Sequence, residues 1–456
     1  MNNPQRSRRR RRASQPPREL TPCPEPVVIE GVAEGGKGVA RLDGKTLFVD
    51  GALRGETVKI AVTRRHARYD EAVVTEVMEP STHRQSPPCA FFEQCGGCSL
   101  QYQDSAGQIA DKESILIDQL ERIGRVTPVE VVKPLTGAAM GYRGKARLGV
   151  RYVKSKQRVL VGFREKKHRG IAEMDTCAVL DNRVSALIKP LAAVIEALSV
   201  REQVPQIEVA TDADTVVLVF RHLAALSDND RIILREFGDS HRVRVMLQPA
   251  GIDSIHPLPP DSAAPLSYQL PDEQLKIEFY PHQFVQVNAA MNRSMIAQAM
   301  DWLDLSPDER VADLFCGVGN FTLPLARRGS RVVGIEGEQD LVNQARANAE
   351  LNGFDNVEFR CHDLFDEWGQ ASPNPLGRFD KIVLDPPRTG AQRLCENIEE
   401  FQARRIVYIS CNPATLARDA GVLVGQKGYR LERVGVIDMF PHTSHVESMA
   451  LFEQVK

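Results

Sequence analysis

The chain has 456 residues, is 42% hydrophobic and carries a formal net charge of -2, which is too long for one compact core and apolar enough for two or three ordinary ones. No run of about 18 apolar residues exists, so no membrane span is expected, and the basic N-terminus lacks the apolar stretch of a secretory signal behind it. Charge is informative in its distribution only: Met1 to Arg12 holds six arginines and no acid, and Arg143 to Arg169 holds eleven Lys or Arg against one acid, Glu165, giving two local positive fields.

Residues 1–20 (MNNPQRSRRRRRASQPPREL) are rich in Arg, Pro and Ser and too poor in apolar groups to order themselves. They read as a disordered tail, either simply solvated or an arm that contacts RNA phosphates. Residues 21–80 change character. The runs VVIEGVA, GVARLDG, TLFVDGAL, ETVKIAVTRR and EAVVTEVME are short and β-rich, and Asp43-Gly44 and Asp50-Gly51 are turn dipeptides. They predict a small closed β-barrel of the oligonucleotide-binding (OB-like) kind. The pattern resembles the TRAM domain, an RNA-binding module of RNA-modifying enzymes; a small barrel with no RNA role is the alternative.

Residues 81–270 read as an α+β central domain. Ile109, Ile115, Leu116, Leu120 and Ile123 recur at helical spacing between Ser105 and Ile123, a helix near 104–123 that could pack on the catalytic domain. RVLVGFRE, TVVLVFRHL and HRVRVMLQP read as strands, and HPLPPDSAAPLS (His256 to Ser267) as a junction. Residues 271–456 are α/β: RVADLF, RVVGIEG, NVEFRCHD, FDKIVLDPP and RRIVYISCNP are apolar strands, several separated by helical stretches. That alternation predicts a doubly wound, mostly parallel, Rossmann-like sheet.

The first of these strands runs into Asp313-Leu314-Phe315-Cys316-Gly317-Val318-Gly319-Asn320-Phe321, where Gly317 and Gly319 let backbone approach a ligand. Glu336 ends the next strand, where a carboxylate can hold ribose hydroxyls, and His362-Asp363 follows the third. Thr322 stands where a dinucleotide fingerprint would carry its third glycine. The spacing resembles class I methyltransferases that bind S-adenosylmethionine. The fourth strand ends in Asp385-Pro386-Pro387-Arg388, and the fifth delivers Cys411 in Ser410-Cys411-Asn412-Pro413, at the strand end that faces the crevice of an open parallel sheet. A thiolate there suits methylation of uracil carbon 5. Adding at carbon 6 it makes an enolate whose carbon 5 can attack a methyl sulfonium, and a base must then remove the carbon 5 proton. Glu447, in Phe440-Pro441-His442-Thr443-Ser444-His445-Val446-Glu447-Ser448, is the candidate base, with His445 and His442 behind it.

DLFCGVGNF, DPPR, SCNP and FPHTSHVES, with FVQVN (Phe284 to Asn288), together resemble the RNA uracil-C5 methyltransferase family over nearly the whole chain after the tail. The resemblance implies Cys411 as nucleophile and Glu447 as base. It implies Gln286, Phe315, Asn320, Glu336, Asp363 and Asp385 at the cofactor pocket, with Gln286 and Asp385 able to reach the uracil. Arg147, in YRGKARLGV, is similar to a family arginine that hydrogen-bonds the uracil oxygen, although Arg143 and Lys145 are neighbours.

Nine cysteines, an odd number, in a chain without a signal speak for a reducing cytoplasm, where clustered cysteines are metal ligands or catalytic. Cys89, Cys95 and Cys98 form C-x5-C-x2-C with Gly96 and Gly97 inside, and Cys177 is a plausible fourth. Four thiolates suit zinc or an iron–sulfur cluster; the resemblance favours [4Fe-4S], since ribosomal-RNA members carry this pattern. Having both TRAM and the cysteines, the chain is most similar to the branch acting on 23S ribosomal RNA. The expectation is a cytoplasmic monomer without membrane or obligate protein partner. A transfer-RNA uracil-C5 enzyme and a non-catalytic RNA-binding factor are the alternatives.

Overall fold

The computed structural model describes residues 20–166, 168–365 and 376–455, so the arginine-rich tail, apart from Leu20, lies outside the described residues. The chain divides into two compact units, one ending at Arg84 and one starting at Gln85.

The first unit holds β1 (Thr21–Pro22), β2 (Val27–Val28), β3 (Gly31–Ala33), β4 (Lys37–Leu42), β5 (Lys45–Asp50), β6 (Thr57–Arg65) and β7 (Tyr69–Glu79), paired in the order β1-β6-β7-β5-β4-β3, with β2 also on β6. The segment 27–33 therefore joins the two sides of the path. Between β2 and β3, Ile29 N donates to Glu56 O and Glu30 N to Val39 O. Alternation puts Leu47, Val49, Val58 and Ile60 inside with Val27, Ile29 and Ala40. Asp43 (φ +49°) and Gly44 (φ +75°) turn β4 into β5; positive φ at both central residues is what a type I′ hairpin requires. Glu56 is fully buried. Burial opposes its charge, but Arg84, which reaches both carboxylate oxygens, and the Leu53 and Ser81 amides hold it below its ordinary pKa.

The second unit begins with the cysteine segment and α1 (Ser105–Gln119), capped by Asp104, whose carboxylate accepts from Gly107 N. A π turn over Leu120–Gly124 and the short β8 (Glu130–Val131) follow. Ile115, Leu116 and Leu120 are buried as their spacing predicts, but Gln108, Asp111 and Lys112 are buried with them, and Ile123 is exposed.

Next come β9 (Lys145–Val153), β10 (Arg158–Gly162), α2 (Asn182–Ser185), α3 (Ile188–Ala197), β11 (Gln206–Thr211), β12 (Val216–Arg221), α4 (Asp228–His241), β13 (Arg244–Gln248) and β14 (His256–Pro257). The sheet order is β10-β9-β11-β12-β13-β14. One face of it packs Leu148, Ile207, Leu218 and Phe220 against Leu191, Ile195, Leu234 and Phe237 of α3 and α4. The expected positive field over 143–169 is smaller than a count along the chain suggests. Acids from elsewhere reach it: Glu208 pairs with Arg147 (2.8 Å), Glu202 with Lys154 (3.0 Å), and Glu173 with Lys156 and Arg158.

A hairpin of β15 (Leu266–Leu270) and β16 (Leu275–Phe279) leads to α5 (Ala289–Leu303), β17 (Arg310–Leu314), α6 (Thr322–Arg327), β18 (Arg331–Glu336), α7 (Gln339–Leu351), β19 (Val357–Cys361), β20 (Lys381–Leu384), α8 (Gln392–Glu396), β21 (Arg405–Ser410), α9 (Pro413–Gln426), β22 (Tyr429–Ile437) and β23 (Glu447–Gln454). The sheet runs β19-β18-β17-β20-β21-β23-β22-β8. Its first five strands are parallel and β23 is antiparallel to β21. Ile382, Val383, Leu384 and Ile406 to Ile409 are fully buried, as strands covered on both faces must be. β8 adds to the β22 edge. At the end of α1, a side chain at Gly124 would run into the Ala417 carbonyl of α9, so the glycine permits that close approach. The strand order reverses between β17 and β20, and ligands bind at such a switch point, outside the carboxyl ends of the strands.

Candidate active site

Four loops meet at that end of the sheet. After β17 the chain turns at Phe315 (φ +67°), Gly317 (φ +54°) and Gly319 (φ +96°). Glu336, at the end of β18, accepts from Gly317 N (3.1 Å) and Gly337 N (2.7 Å), so the carboxylate is already fixed beside the glycine loop. Asp363, beyond β19, is exposed and accepts from Phe365 N (2.9 Å). The Phe365 ring lies 5.4 Å from that of Phe315. Asn320 is held by Tyr268, whose hydroxyl donates to its Oδ1 (2.7 Å), and by a reciprocal pair of 2.9 Å bonds with Asn292. Tyr268 and Asn292 have no role in the sequence reading; only the buried polar Asn292 on an otherwise apolar α5 face hinted at one.

Gln286 adjoins the two partners of Asn320. With Tyr268, Asn292, Lys145 and Arg183 it lines an open cavity of about 670 Å³ that Cys411 and Glu447 do not line. Burial pushes Lys145 down to about 8, and its ammonium donates to Gln283 O. Arg147 shares a face of β9 with Lys145 but is exposed and bound to Glu208.

Cys411 follows β21 and Glu447 opens β23. The last pair between those strands is Ser410 with Ser448, so Cys411 leaves β21 beside the end of β23 that carries Glu447, close enough for the carboxylate charge to bear on the thiol. Glu447 is 4% exposed; burial, then the neighbouring Asp385, raise it to about 8, with Arg388 opposing. Burial likewise raises Asp385 to about 7, helped by Asp313. Cys411 is half-buried and rises to about 11 through burial and the charges of Glu447 and Asp385, again opposed by Arg388. Arg388 is thus the cation bearing on both groups. Its guanidinium donates to His445 Nδ1 (2.8 Å), and burial and Arg388 both push His445 below its ordinary pKa, keeping it a neutral acceptor. Arg388, the last residue of Asp385-Pro386-Pro387-Arg388, has no role legible from the motif alone. His442 points away from this cluster, toward α1, with Nδ1 3.2 Å from Gln108 Nε2.

Cys89, Cys95, Cys98 and Cys177 line a second, small cavity together with Phe92, Gly97, Arg143 and Phe163. A side chain at Gly96 would stand 2.9 Å from Arg164 O, so the segment wraps tightly there. Burial raises Cys95, Cys98 and Cys177, Cys98 to about 12. Among the described residues, no group of three or more His, Cys, Asp or Glu is arranged to hold a single metal ion.

Residues 106–371 and 376–455 match the tRNA (uracil-5-)-methyltransferase family, and residues 25–75 match the TRAM domain. The 23S rRNA (uracil(1939)-C(5))-methyltransferase RlmD of Thiobacillus denitrificans is 50% identical over 420 residues, covering 92% of this chain and 97% of that protein. The protein of the same name in Hahella chejuensis is 48% identical over 452 residues, covering 98% and 100%. Among solved structures, the tRNA (uracil-54, C5)-methyltransferase of Pyrococcus abyssi, in complex with S-adenosyl-L-homocysteine, is similar with a TM-score of 0.71 at 24% identity, covering 94% of this chain and 99% of that one. The fold is shared across that distance. With the match running through the loops that carry Cys411, Asp385 and Glu447, the chain belongs to the tRNA (uracil-5-)-methyltransferase family and carries a TRAM domain before its catalytic unit.

Proposed function

We propose that this protein transfers a methyl group from S-adenosylmethionine to carbon 5 of one uridine in 23S ribosomal RNA. The observation that carries the chemistry is a half-buried thiol, Cys411, just past the end of β21 and a buried carboxyl, Glu447, at the start of the neighbouring β23, whose charge bears on it. Cys411 gives up its proton to solvent, its Sγ adds to uracil carbon 6 as a thiolate, and carbon 5 of the resulting enolate takes the methyl group, the sulfonium donor leaving as the neutral thioether S-adenosylhomocysteine. Glu447, in its carboxylate form, then removes the carbon 5 proton, the carbon 6–sulfur bond breaks, and 5-methyluridine and the thiolate are released. The uridine must be flipped out so that carbon 6 is reached from one face. Bound S-adenosylmethionine supplies the electrophilic methyl; Phe315, Asn320, Glu336, Asp363 and Asp385 would hold it, and Gln286 would reach it or the uracil from the neighbouring cavity. Arg147, on release from Glu208, would hydrogen-bond the uracil oxygen where enolate charge develops.

The small OB-like barrel of the first unit would add RNA affinity. The four cysteines would hold a [4Fe-4S] cluster that braces the central segment beside RNA. Zinc, the weaker alternative, needs thiolates about 3.8 Å apart around one ion. The support for a shared group is that all four thiols line one small cavity. The preference for ribosomal over transfer RNA rests on the names of the relatives near 50% identity. Purified protein with labelled S-adenosylmethionine, 23S RNA and bulk transfer RNA tests it: label in 23S RNA at one uridine is expected, and label confined to transfer RNA refutes the target.

A further inference from the structure

We infer that Gln108, Lys112 and Ser99 form a positioning device for the base, an inference that rests on Glu447 being the group that completes elimination. Between β22 and β23 the chain crosses 438–446 without regular structure, and its backbone is held from the cysteine segment and α1. Ser99 N and Leu100 N donate to His442 O (2.9 and 3.0 Å). Gln108 Oε1 accepts from His442 N (2.8 Å), and Ser99 Oγ accepts from Ser444 N (2.9 Å). Tyr142 donates to Pro441 O (3.1 Å). Lys112 Nζ donates to Phe440 O (3.1 Å) and Asp438 Oδ1 (2.7 Å), an ion pair almost entirely buried.

Gln108 and Lys112 lie four residues apart on one helix face, 1% exposed each, where apolar side chains would pack without any polar group to desolvate. Their polar ends hold this loop, while the Gln108 amide nitrogen also donates to Leu100 O (3.2 Å) and Gln103 O (2.7 Å) and so ties the cysteine segment to the same residue. The loop needs holding, because His442 sits at φ +65°, a left-handed backbone that surroundings must impose on a residue with a β-carbon. At the far end of the same loop His445 meets Arg388 and Glu447 begins β23. Cys411, by contrast, is delivered by β21 and makes no use of the loop. A shift of the loop therefore moves the base and the Arg388 partner while leaving the nucleophile in place. Ser99 directly follows Cys98, so the cysteine cavity and the base loop are neighbours along one strand of chain.

The test is a single-turnover reaction with a 23S RNA fragment, following methyl transfer and, on a denaturing gel, release of the methylated covalent adduct. Gln108→Leu removes the polar end at similar volume; Ser99→Ala removes only the acceptor for Ser444 N and decides the matter if the first variant does not fold. Release is expected to slow by about tenfold or more in Gln108→Leu and about threefold in Ser99→Ala, with methyl transfer within about twofold, since small displacements of a catalytic group cost rate steeply. Equal slowing of both steps, or wild-type release in the folded variants, overturns the inference. Glu447→Gln run in parallel separates the two levels. If it leaves no adduct, the base assignment falls; if it leaves adduct while the Gln108 and Ser99 variants release normally, only the positioning role falls.

Discussion

The cysteine cavity and the crevice at Cys411 both bury thiols, and burial lifts the pKa in each, to about 12 at Cys98 and about 11 at Cys411. Their neighbours differ. Around Cys98 the charges that matter belong to Cys177, Cys95 and Cys89, so the thiol stands chiefly among like soft donors. Around Cys411 they belong to Glu447, Asp385 and Arg388, two acids and a cation. Burial alone makes a thiol inert. What turns one buried thiol toward chemistry is the company of groups whose own pKa values stand near neutrality.

The strongest way to break the comparison is Cys411→Ala. Methyl transfer is expected to fall by about 10⁴-fold or more, as for removal of other covalent nucleophiles, and denaturing gels should show no RNA-linked protein. Substantial methylation by this variant would put Cys411 among the bystanders. Glu447→Gln should fail differently. One round of methylation proceeds, the adduct accumulates, and turnover drops by about 10²–10⁴-fold, the usual worth of a general base. The readout is the ratio of trapped to released methylated RNA; a low ratio moves the base role to another group. Cys98→Ser should leave Cys411 chemistry detectable while metal content falls. Anaerobic wild-type protein is expected to be brown with about four irons per chain, bound through four thiolates, and the variant pale; colourless wild type carrying one zinc would refute the cluster.

How much of this contrast is legible along the chain depends on how local it is. The β17 turn with Gly317 and Gly319, and Cys411 at the end of β21, can be read because each is a strand followed within a few residues by its functional turn. Cys89, Cys95 and Cys98 can be read for the same reason. The company of Cys411 is less local: Glu447 comes near only because β23 runs antiparallel to β21. Lys112 and Gln108 are invisible in the sequence, since their partners Asp438 and His442 lie 326 and 334 residues away. The helical spacing that predicts α1 counts only its apolar members. The same blindness inflates the charge of 143–169, whose neutralising Glu173, Glu202 and Glu208 lie beyond the window. It also leaves Arg147 looking available when Glu208 holds it.

Arg147 accordingly sharpens the comparison by a smaller margin. Arg147→Ala is expected to slow methyl transfer by roughly tenfold, less than loss of a preorganised oxyanion donor, with S-adenosylmethionine affinity unchanged in a binding titration. Unchanged transfer would assign the uracil contact elsewhere, and Lys145, which lines the cavity with Gln286, becomes the alternative.

The last expected effect is on stability rather than on rate, and it carries a definite sign. Glu447 rises from 4.5 to about 8 on folding, chiefly through burial, so between those values the folded state binds more protons than the unfolded one. Its contribution is fully present below about pH 4.5 and is lost as pH rises through about 8. Glu447→Gln removes that loss, so the variant should gain stability over wild type by roughly 1–3 kcal/mol at pH 8.5 and much less at pH 5. Thermal unfolding of both proteins at the two pH values measures the difference. Asp313, raised to about 7 mainly by burial, adds the same slope in both proteins and cancels, whereas Asp385 interacts with Glu447 and loses that repulsion in the variant, which adds to the difference at high pH. A Tm difference that is the same at pH 5 and pH 8.5 would mean that Glu447 is not held protonated in the free protein.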